Sequence, residues 1–228
     1  LLIIINKTKT NKTGGVKIVD METVLPMRAT AQKTKSLVAK RCMDIAGAFI
    51  GLILMSPVFL LIYVSIRRED NGPAIFSQER IGYRGEAFTL YKFRSMKVEA
   101  EADGTPQLCE ADDSRLTHVG RFLRSHHLDE LPQLWNVLKG EMSFVGYRPE
   151  RKFFIDRIVS IDPQYELLYA MRPGLFSNAT LYNGYTNTME KMLERLRMDL
   201  EYMRTWSLWS DLMIIWKTAL SIITGKVF

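Results

Sequence analysis

Cysteine is scarce in this sequence. Only Cys42 and Cys109 occur among 228 residues, and they form no CxxC pair. That excludes a disulfide framework. The three histidines, His118, His126 and His127, stand without thiolate neighbours at zinc-ligand spacing, which argues against a structural zinc site. A reduced cytoplasmic setting is the default expectation. No secretory signal pattern and no internal repeat is read. The first residue is Leu1 rather than methionine, so Met21 and Met27 are candidate starts, and the apolar residues 1–5 a candidate remnant of something longer. With 47% hydrophobic and 25% charged residues the chain has the material for a sizeable core. The formal net charge of +6 favours anionic partners: nucleic acid, acidic lipid head groups or phosphorylated small molecules.

Charge is missing altogether from residues 45–66, a run near the roughly 20 residues that cross a bilayer as a helix. Two features set it apart from an ordinary span. Ser56-Pro57 stands in its middle, where proline removes a backbone hydrogen bond and kinks the helix. Lys40-Arg41 and Arg67-Arg68 flank it about equally, so the positive-inside rule selects no orientation. A helix that enters, breaks at Ser56-Pro57 and returns to the same face satisfies both; a plain single-span anchor is the alternative.

Ahead of this run, residues 6–35 are polar, lysine- and threonine-rich and aperiodic, reading as a poorly ordered leader. Beyond Gly72-Pro73, residues 74–78 and 87–93 read as two strands of a hairpin closed by Gly82-Tyr83-Arg84-Gly85. Residues 98–113 read as an acidic loop. Helical periodicity follows at 119–125 and 131–138, the latter ending at Gly140 as a C-cap, then at 153–161, 164–171 and, amphipathically, 189–205. Residues 206–223 carry Trp206, Trp209 and Trp216 but also Asp211 and Lys217, too charged to span. This helix either lies at a membrane interface or packs on the core.

Asp129 and Glu130 precede Pro132, a residue suited to the first turn of a helix, so both carboxylates are expected at a helix N-terminus, where the dipole favours ionisation. The bland alternative is an N-cap followed by a first-turn charge. Arg115, Arg121 and Arg124 lie upstream and Arg148 downstream; Arg80, Lys92 and Arg94 border the hairpin strands, and Arg172 precedes Pro173-Gly174. Guanidinium forks match phosphate oxygens, so this set suits a diphosphate, beside which a carboxylate either shares Mg²⁺ with phosphate or attacks phosphorus.

Several ordered blocks carry a resemblance. They include Lys40-Arg41 with Asp44, Ser56-Pro57, Phe76-Ser77-Gln78-Glu79-Arg80-Ile81-Gly82, Tyr91-Lys92-Phe93-Arg94-Ser95-Met96 and Asp113-Ser114-Arg115-Leu116-Thr117. Leu128-Asp129-Glu130-Leu131-Pro132-Gln133-Leu134, Asn136-Val137-Leu138-Lys139-Gly140, Arg148-Pro149 and Arg172-Pro173-Gly174 complete them. From Lys40 onward the chain resembles the bacterial sugar transferase family, the monotopic phosphoglycosyl transferases. The resemblance implies that Asp129 attacks the sugar-linked phosphate of a UDP-sugar and expels UMP, that Glu130 is its dyad partner, and that Mg²⁺ sits by Asp129. Polyprenyl phosphate then takes the phosphosugar. Arg80, Lys92, Arg94, Arg115, Arg124, Arg148 and Arg172 are the expected substrate-binding residues, and Ser56 and Pro57 the membrane re-entrant break. Tyr147 stands where the family has proline, and residues 175–179 depart from its usual threonine-glycine-tryptophan stretch.

The expected fold is α/β, a mostly helical membrane-associated domain with a re-entrant helix hairpin and a small β-hairpin. The expected divisions are a leader (1–36), the hairpin (37–70) and a catalytic domain with interfacial helices (71–228). Expected partners are a UDP-sugar, undecaprenyl phosphate, membrane lipids and a second copy of the chain, with no nucleic acid. The expected place is the cytoplasmic face of the bacterial inner membrane, at the first membrane step of glycan, exopolysaccharide or capsule synthesis. Rival readings are a non-catalytic peripheral membrane protein, a UDP-releasing glycosyltransferase and a nucleic-acid binder, the last supported by charge alone.

Overall fold

The computed structural model of the chain describes residues 31–100, 113–183 and 186–224. Residues 1–30 of the expected leader and most of the expected acidic loop (101–112) lie outside the described residues.

Helix α1 (Ala31–Leu54) begins ahead of the boundary expected at 37 and runs into α2 (Ser56–Glu69) with a bend of 59°. Local chemistry explains the break. Pro57 has no N–H to offer the carbonyl of Ile53, and the Ser56 hydroxyl donates to that oxygen instead at 2.8 Å. The ladder resumes two residues on, where Phe59 N–H donates to Met55 O at 2.8 Å. The pair is an open V rather than two antiparallel arms. Among the described residues no single helix is long and apolar enough to cross a membrane, whereas the bent pair, Ser36–Leu54 with Ser56–Glu69, passes that test together. Leu37, Val38, Phe49, Ile50, Ile53, Leu54, Leu60 and Leu61 are each more than half exposed. A contiguous apolar surface of that kind marks an interaction face.

The hairpin forms with its second strand as expected at 87–93 and its first strand longer than the alternation indicated. Strands β1 (Ile75–Ile81) and β2 (Ala87–Phe93) pair antiparallel, with Ile75 opposite Phe93 and Ile81 opposite Ala87. Arg84 and Gly85 close the turn at φ 61° and 73°. Helix α3 (His118–Ser125) follows, capped by Thr117, whose hydroxyl accepts from Gly120 N–H at 2.9 Å. A 3-10 turn (Leu128–Glu130) leads into α4 (Gln133–Lys139), which ends at Gly140 with φ 91°, the left-handed cap read from the sequence.

A second strand pair was not anticipated. β3 (Ser143–Val145) and β4 (Gly174–Phe176) run parallel, with Ser143 opposite Gly174 and Val145 opposite Phe176. Between them lie α5 (Lys152–Ile161) and a 3-10 segment (Pro163–Ala170). Glycine permits the close approach: a Cβ on Gly174 would stand 2.1 Å from Gly146 N, and one on Gly146 2.3 Å from Arg172 O. The stretch after Gly174 thus continues as β4 and then α6 (Asn178–Asn183). Helices α7 (Met189–Thr205) and α8 (Leu208–Thr224) complete the chain. The expectation of a mostly helical protein with a small β-hairpin holds, and the short parallel pair is an addition to it.

One core cluster joins Tyr147, Phe154, Ile155, Ile158, Tyr165, Leu168, Met192, Leu196 and Leu200. A second unites Ile62 and Ile66 of α2 with Phe93 and Leu123, with Leu128 and Leu131 packed against it. Asn136 ties α4 to β2: its side chain donates to Thr89 O at 2.7 Å and accepts from Tyr91 N–H at 3.2 Å, and it also donates to Glu141 at 2.7 Å. It has no solvent exposure. Asn136→Ala should therefore destabilise the protein by about 2–4 kcal/mol, since buried backbone groups lose partners they cannot replace with water. Thermal unfolding in detergent checks this; a change within about 0.5 kcal/mol, the scale of an ordinary surface substitution, would show that the polar tie does not matter.

Candidate active site

The loop between α3 and α4 turns on His127, whose φ of 54° places a non-glycine residue in the left-handed region. That conformation reverses the chain after α3 and starts the 3-10 turn carrying Asp129 and Glu130. The N-cap of α4 is Pro132, so the two carboxylates stand one short turn ahead of the α-helix and not in its first turn.

Glu130 is held by cations from two other segments. Lys92 Nζ on β2 donates to Glu130 Oε1 at 2.8 Å, and Arg148 Nη2, beyond β3, donates to the same oxygen at 3.1 Å. Burial opposes ionisation of Glu130, but Lys92 and Arg148 outweigh it and hold the carboxyl well below the usual range. Arg148 is reciprocally pushed upward by Glu130, against its own burial. Asp129 lies outside this ion pair and is 6% exposed. Burial raises its pKa; Lys92, Arg124 and His127 pull it down and the Glu130 charge pushes it further up. The expectation that the helix dipole would favour both ionised forms is corrected for Asp129, because loss of water outweighs a partial charge at this depth. Adjacent carboxylates thus hold protons with opposite tendencies, the mark of groups with different tasks.

A pocket opens beside Glu130, lined by Arg80, Leu90, Lys92, Glu130, Gln133, Arg148, Pro149 and Gly174, with Asp129 adjacent in the chain but not part of the lining. Arg80 is oriented from behind: Nη1 donates to Glu150 Oε2 at 3.0 Å and Nη2 to Gln78 Oε1 at 2.6 Å. Glu150 in turn accepts from Arg195 Nη2 of α7 at 2.6 Å. Burial would raise Glu150, yet Arg195 and Arg80 hold it down to about 2. One turn on, Asp199 is buried, accepts the Arg148 backbone N–H, and is pushed up to about 7 by burial against the pull of Arg195.

The structure therefore brings Arg80, Lys92 and Arg148 to the Asp129/Glu130 turn, with Arg124 close enough to act on the charge of Asp129. The other expected binding residues are engaged elsewhere. Arg94 pairs with Asp70 at the end of α2, and Arg115 with Asp113 at 2.6 Å. Arg172 Nε donates to Gly140 O at 2.8 Å while its guanidinium lies over the Tyr83 ring. Sequence reasoning missed Gln133, Glu150, Arg195 and Asp199. Gln133 and Glu150 adjoin residues already singled out, which was a usable signal. Arg195 and Asp199 lie on a helix read only as amphipathic, and it is tertiary packing that buries them. Tyr147 is fully buried in the core, so the chain presents Arg148 to the pocket from the opposite side of the backbone.

Among the described residues no group of three or more His, Cys, Asp or Glu side chains could enclose a metal. The donor set nevertheless suits Mg²⁺ in the way that ion is often held, by one or two carboxylates together with substrate phosphates. Asp129, buried and outside the ion pair, is the donor that fits.

The profile of the family described as bacterial sugar transferase matches residues 35–225. The chain is 41% identical over 187 residues to a UDP-glucose:undecaprenyl-phosphate glucose-1-phosphate transferase of Caulobacter vibrioides, covering 81% of this chain and 70% of that protein. It is 40% identical over 186 residues to the UDP-N-acetylgalactosamine-undecaprenyl-phosphate N-acetylgalactosaminephosphotransferase of Aeromonas hydrophila, covering 82% of this chain and 44% of that protein. A UDP-glucose:undecaprenyl-phosphate glucose-1-phosphate transferase of Escherichia coli is 40% identical over 197 residues, covering 86% and 42%. The chain thus spans less than half the length of two of these relatives.

Asp199 supplies a pH test. Its folded-state pKa of about 7 exceeds the ordinary 3.8, so the folded state holds this proton more tightly than the unfolded chain. The stability it contributes is present below the unfolded value and is lost as pH rises from about 4 to about 7. Asp199→Asn, which keeps an acceptor for Arg148 N–H, should flatten the fall in Tm across that window. A Tm–pH curve unchanged by the substitution would remove Asp199 as its source.

Proposed function

The chain belongs to the bacterial sugar transferase family, and we propose that it transfers a sugar 1-phosphate from a UDP-sugar to undecaprenyl phosphate. The observation that carries this reading is the divergence within one turn, where Glu130 is locked in an ion pair while Asp129 beside it is left outside.

Asp129 Oδ attacks the sugar-linked phosphorus of the UDP-sugar. The bond from that phosphorus to the bridging oxygen breaks, and UMP leaves with the electron pair. An oxygen of undecaprenyl phosphate then attacks the same phosphorus, the bond to Asp129 breaks, and the product is an undecaprenyl diphosphate sugar with the carboxylate regenerated. Arg80, Lys92 and Arg148 face the pocket and bind the diphosphate oxygens. Glu130 holds Lys92 and Arg148 beside those oxygens. Magnesium, when held by Asp129 together with the diphosphate, supplies positive charge that offsets the phosphate charge and favours ionised Asp129.

The apolar arms supply a reason for the setting. The acceptor phosphate rides at the membrane interface on a hydrocarbon tail, and Leu128 and Leu131, flanking the reactive pair, pack against the cluster of α2. We place the V of α1 and α2 in the cytoplasmic leaflet as a re-entrant element broken at Ser56 and Pro57. The relatives' names support a nucleotide sugar and undecaprenyl phosphate as substrates. The product would enter glycan, exopolysaccharide or capsule assembly.

The test is to incubate purified protein with undecaprenyl phosphate, Mg²⁺ and a panel of UDP-sugars and identify the released nucleotide. UMP release that depends on the lipid is expected, and Asp129→Asn should reduce it by at least about 10³-fold while leaving folding intact, as loss of a nucleophile does. UDP release would instead identify a glycosyltransferase acting without the phosphate. Turnover like the wild type in the asparagine variant would remove Asp129 as nucleophile.

A further inference from the structure

We infer that Arg41 and Glu69, one on each arm of the bent pair, are positioning residues for the Asp129/Glu130 turn; this rests on the function proposed above. The turn is the sole covalent link between α3 and α4, and each of those helices is fastened at its far end to a different arm.

On the α4 side, Arg41 of α1 donates from Nη1 to Val137 O at 2.7 Å and from Nη2 to Leu138 O at 2.9 Å. Val137 O also accepts from the cap Gly140 N–H at 3.1 Å, so Arg41 adds to that cap, and a cation at a helix C-terminus also complements the dipole. The two helices lie close because residue 51 is glycine, where a Cβ would stand 3.2 Å from Leu134 Cδ1. On the α3 side, the Glu69 carboxylate that ends α2 accepts from His118 N–H at 2.6 Å and from Val119 N–H at 3.1 Å. Thr117 already caps α3 locally through Gly120 N–H. Glu69 therefore adds a tie from another element to donors that the local cap leaves over.

The turn between these two fixed ends is weakly held from within. Its own backbone bonds, Glu130 N–H to His127 O and Leu131 N–H to Leu128 O, are both 3.3 Å, at the long end for such bonds. His127 enters it with a left-handed backbone. A shift of α3 or α4 relative to the other is therefore taken up in the turn, and with it in the direction of the Asp129 carboxylate. Position at this scale is a rate effect, since a displacement of about 1 Å at a reacting group can cost about 10²-fold.

The experiment uses the full chain in lipid nanodiscs and reads two quantities: amide hydrogen exchange at Glu130 and Leu131, and kcat and KM for UMP release. Arg41→Met and Glu69→Ala should each speed exchange at those amides by about tenfold while leaving Leu196 and Leu200 of α7 unchanged, the pattern of a local opening. They should lower kcat by about tenfold with KM for the UDP-sugar within about twofold, as expected when orientation rather than binding is lost. Glu69→Gln, which retains an acceptor oxygen, should restore most of both. Lys152→Met, which removes an exposed pair with Asp156 far along the chain, should change neither. Unchanged exchange at Glu130 and Leu131 would overturn the inference, as would equal loosening throughout α7. Faster exchange at the turn in a protein that never releases UMP would uphold the positioning role and sink the proposed reaction instead.

Discussion

Three segments distant in the chain meet at one carboxylate oxygen. Glu130 Oε1 accepts from Lys92 of β2 and from Arg148 beyond β3, and much of the site's order follows from this contact. A buried carboxylate is tolerated only when cations replace its water, and here two of them do. Because Lys92 and Arg148 are engaged by Glu130, Asp129 is left with the cost of burial and without an ion pair. One structural decision thus sets the opposite protonation tendencies of neighbouring side chains.

A second layer holds those cations in place. Glu150 orients Arg80 and is itself held by Arg195, while Asp199 accepts the backbone N–H of Arg148. The parallel strand pair leads toward Arg148 and Pro149 at the pocket, and the close approach of Gly146 and Gly174 lets it close. Asn136 performs the corresponding task on the other wall by fixing α4 to β2. The pocket is lined from β1, β2, α4 and β4 together with the turn at Glu130 and the segment after β3, so its shape depends on how these elements are fixed to one another.

The bent pair has two faces with different tasks. Inward, Ala48, Ile62 and Ile66 are buried against the core clusters. Outward, Phe49, Ile53, Leu60 and Leu61 are exposed. A soluble-core helix would bury both faces, whereas these helices join an apolar exterior to the turn that carries Asp129 and Glu130. On the proposed function, that arrangement brings a lipid-borne phosphate to a polar pocket without drawing its tail through water.

Local pattern alone determined a good deal about this protein. The charge-free run with Ser56-Pro57 at its middle specified a broken helix, because proline's missing N–H acts on its own helix. Alternation around Gly82-Tyr83-Arg84-Gly85 specified the hairpin, and Gly140 the end of α4, because turn and cap preferences act over a few residues. The ordered motif blocks specified the family. Tertiary structure alone decided the rest: the β3–β4 pairing, the partners of Arg94, Arg115 and Arg172, the burial of Arg195 and Asp199, and the raised pKa of Asp129. Each depends on what packs over a residue from far along the chain, and a side chain's hydration and partners are properties of that packing rather than of its own neighbours in sequence.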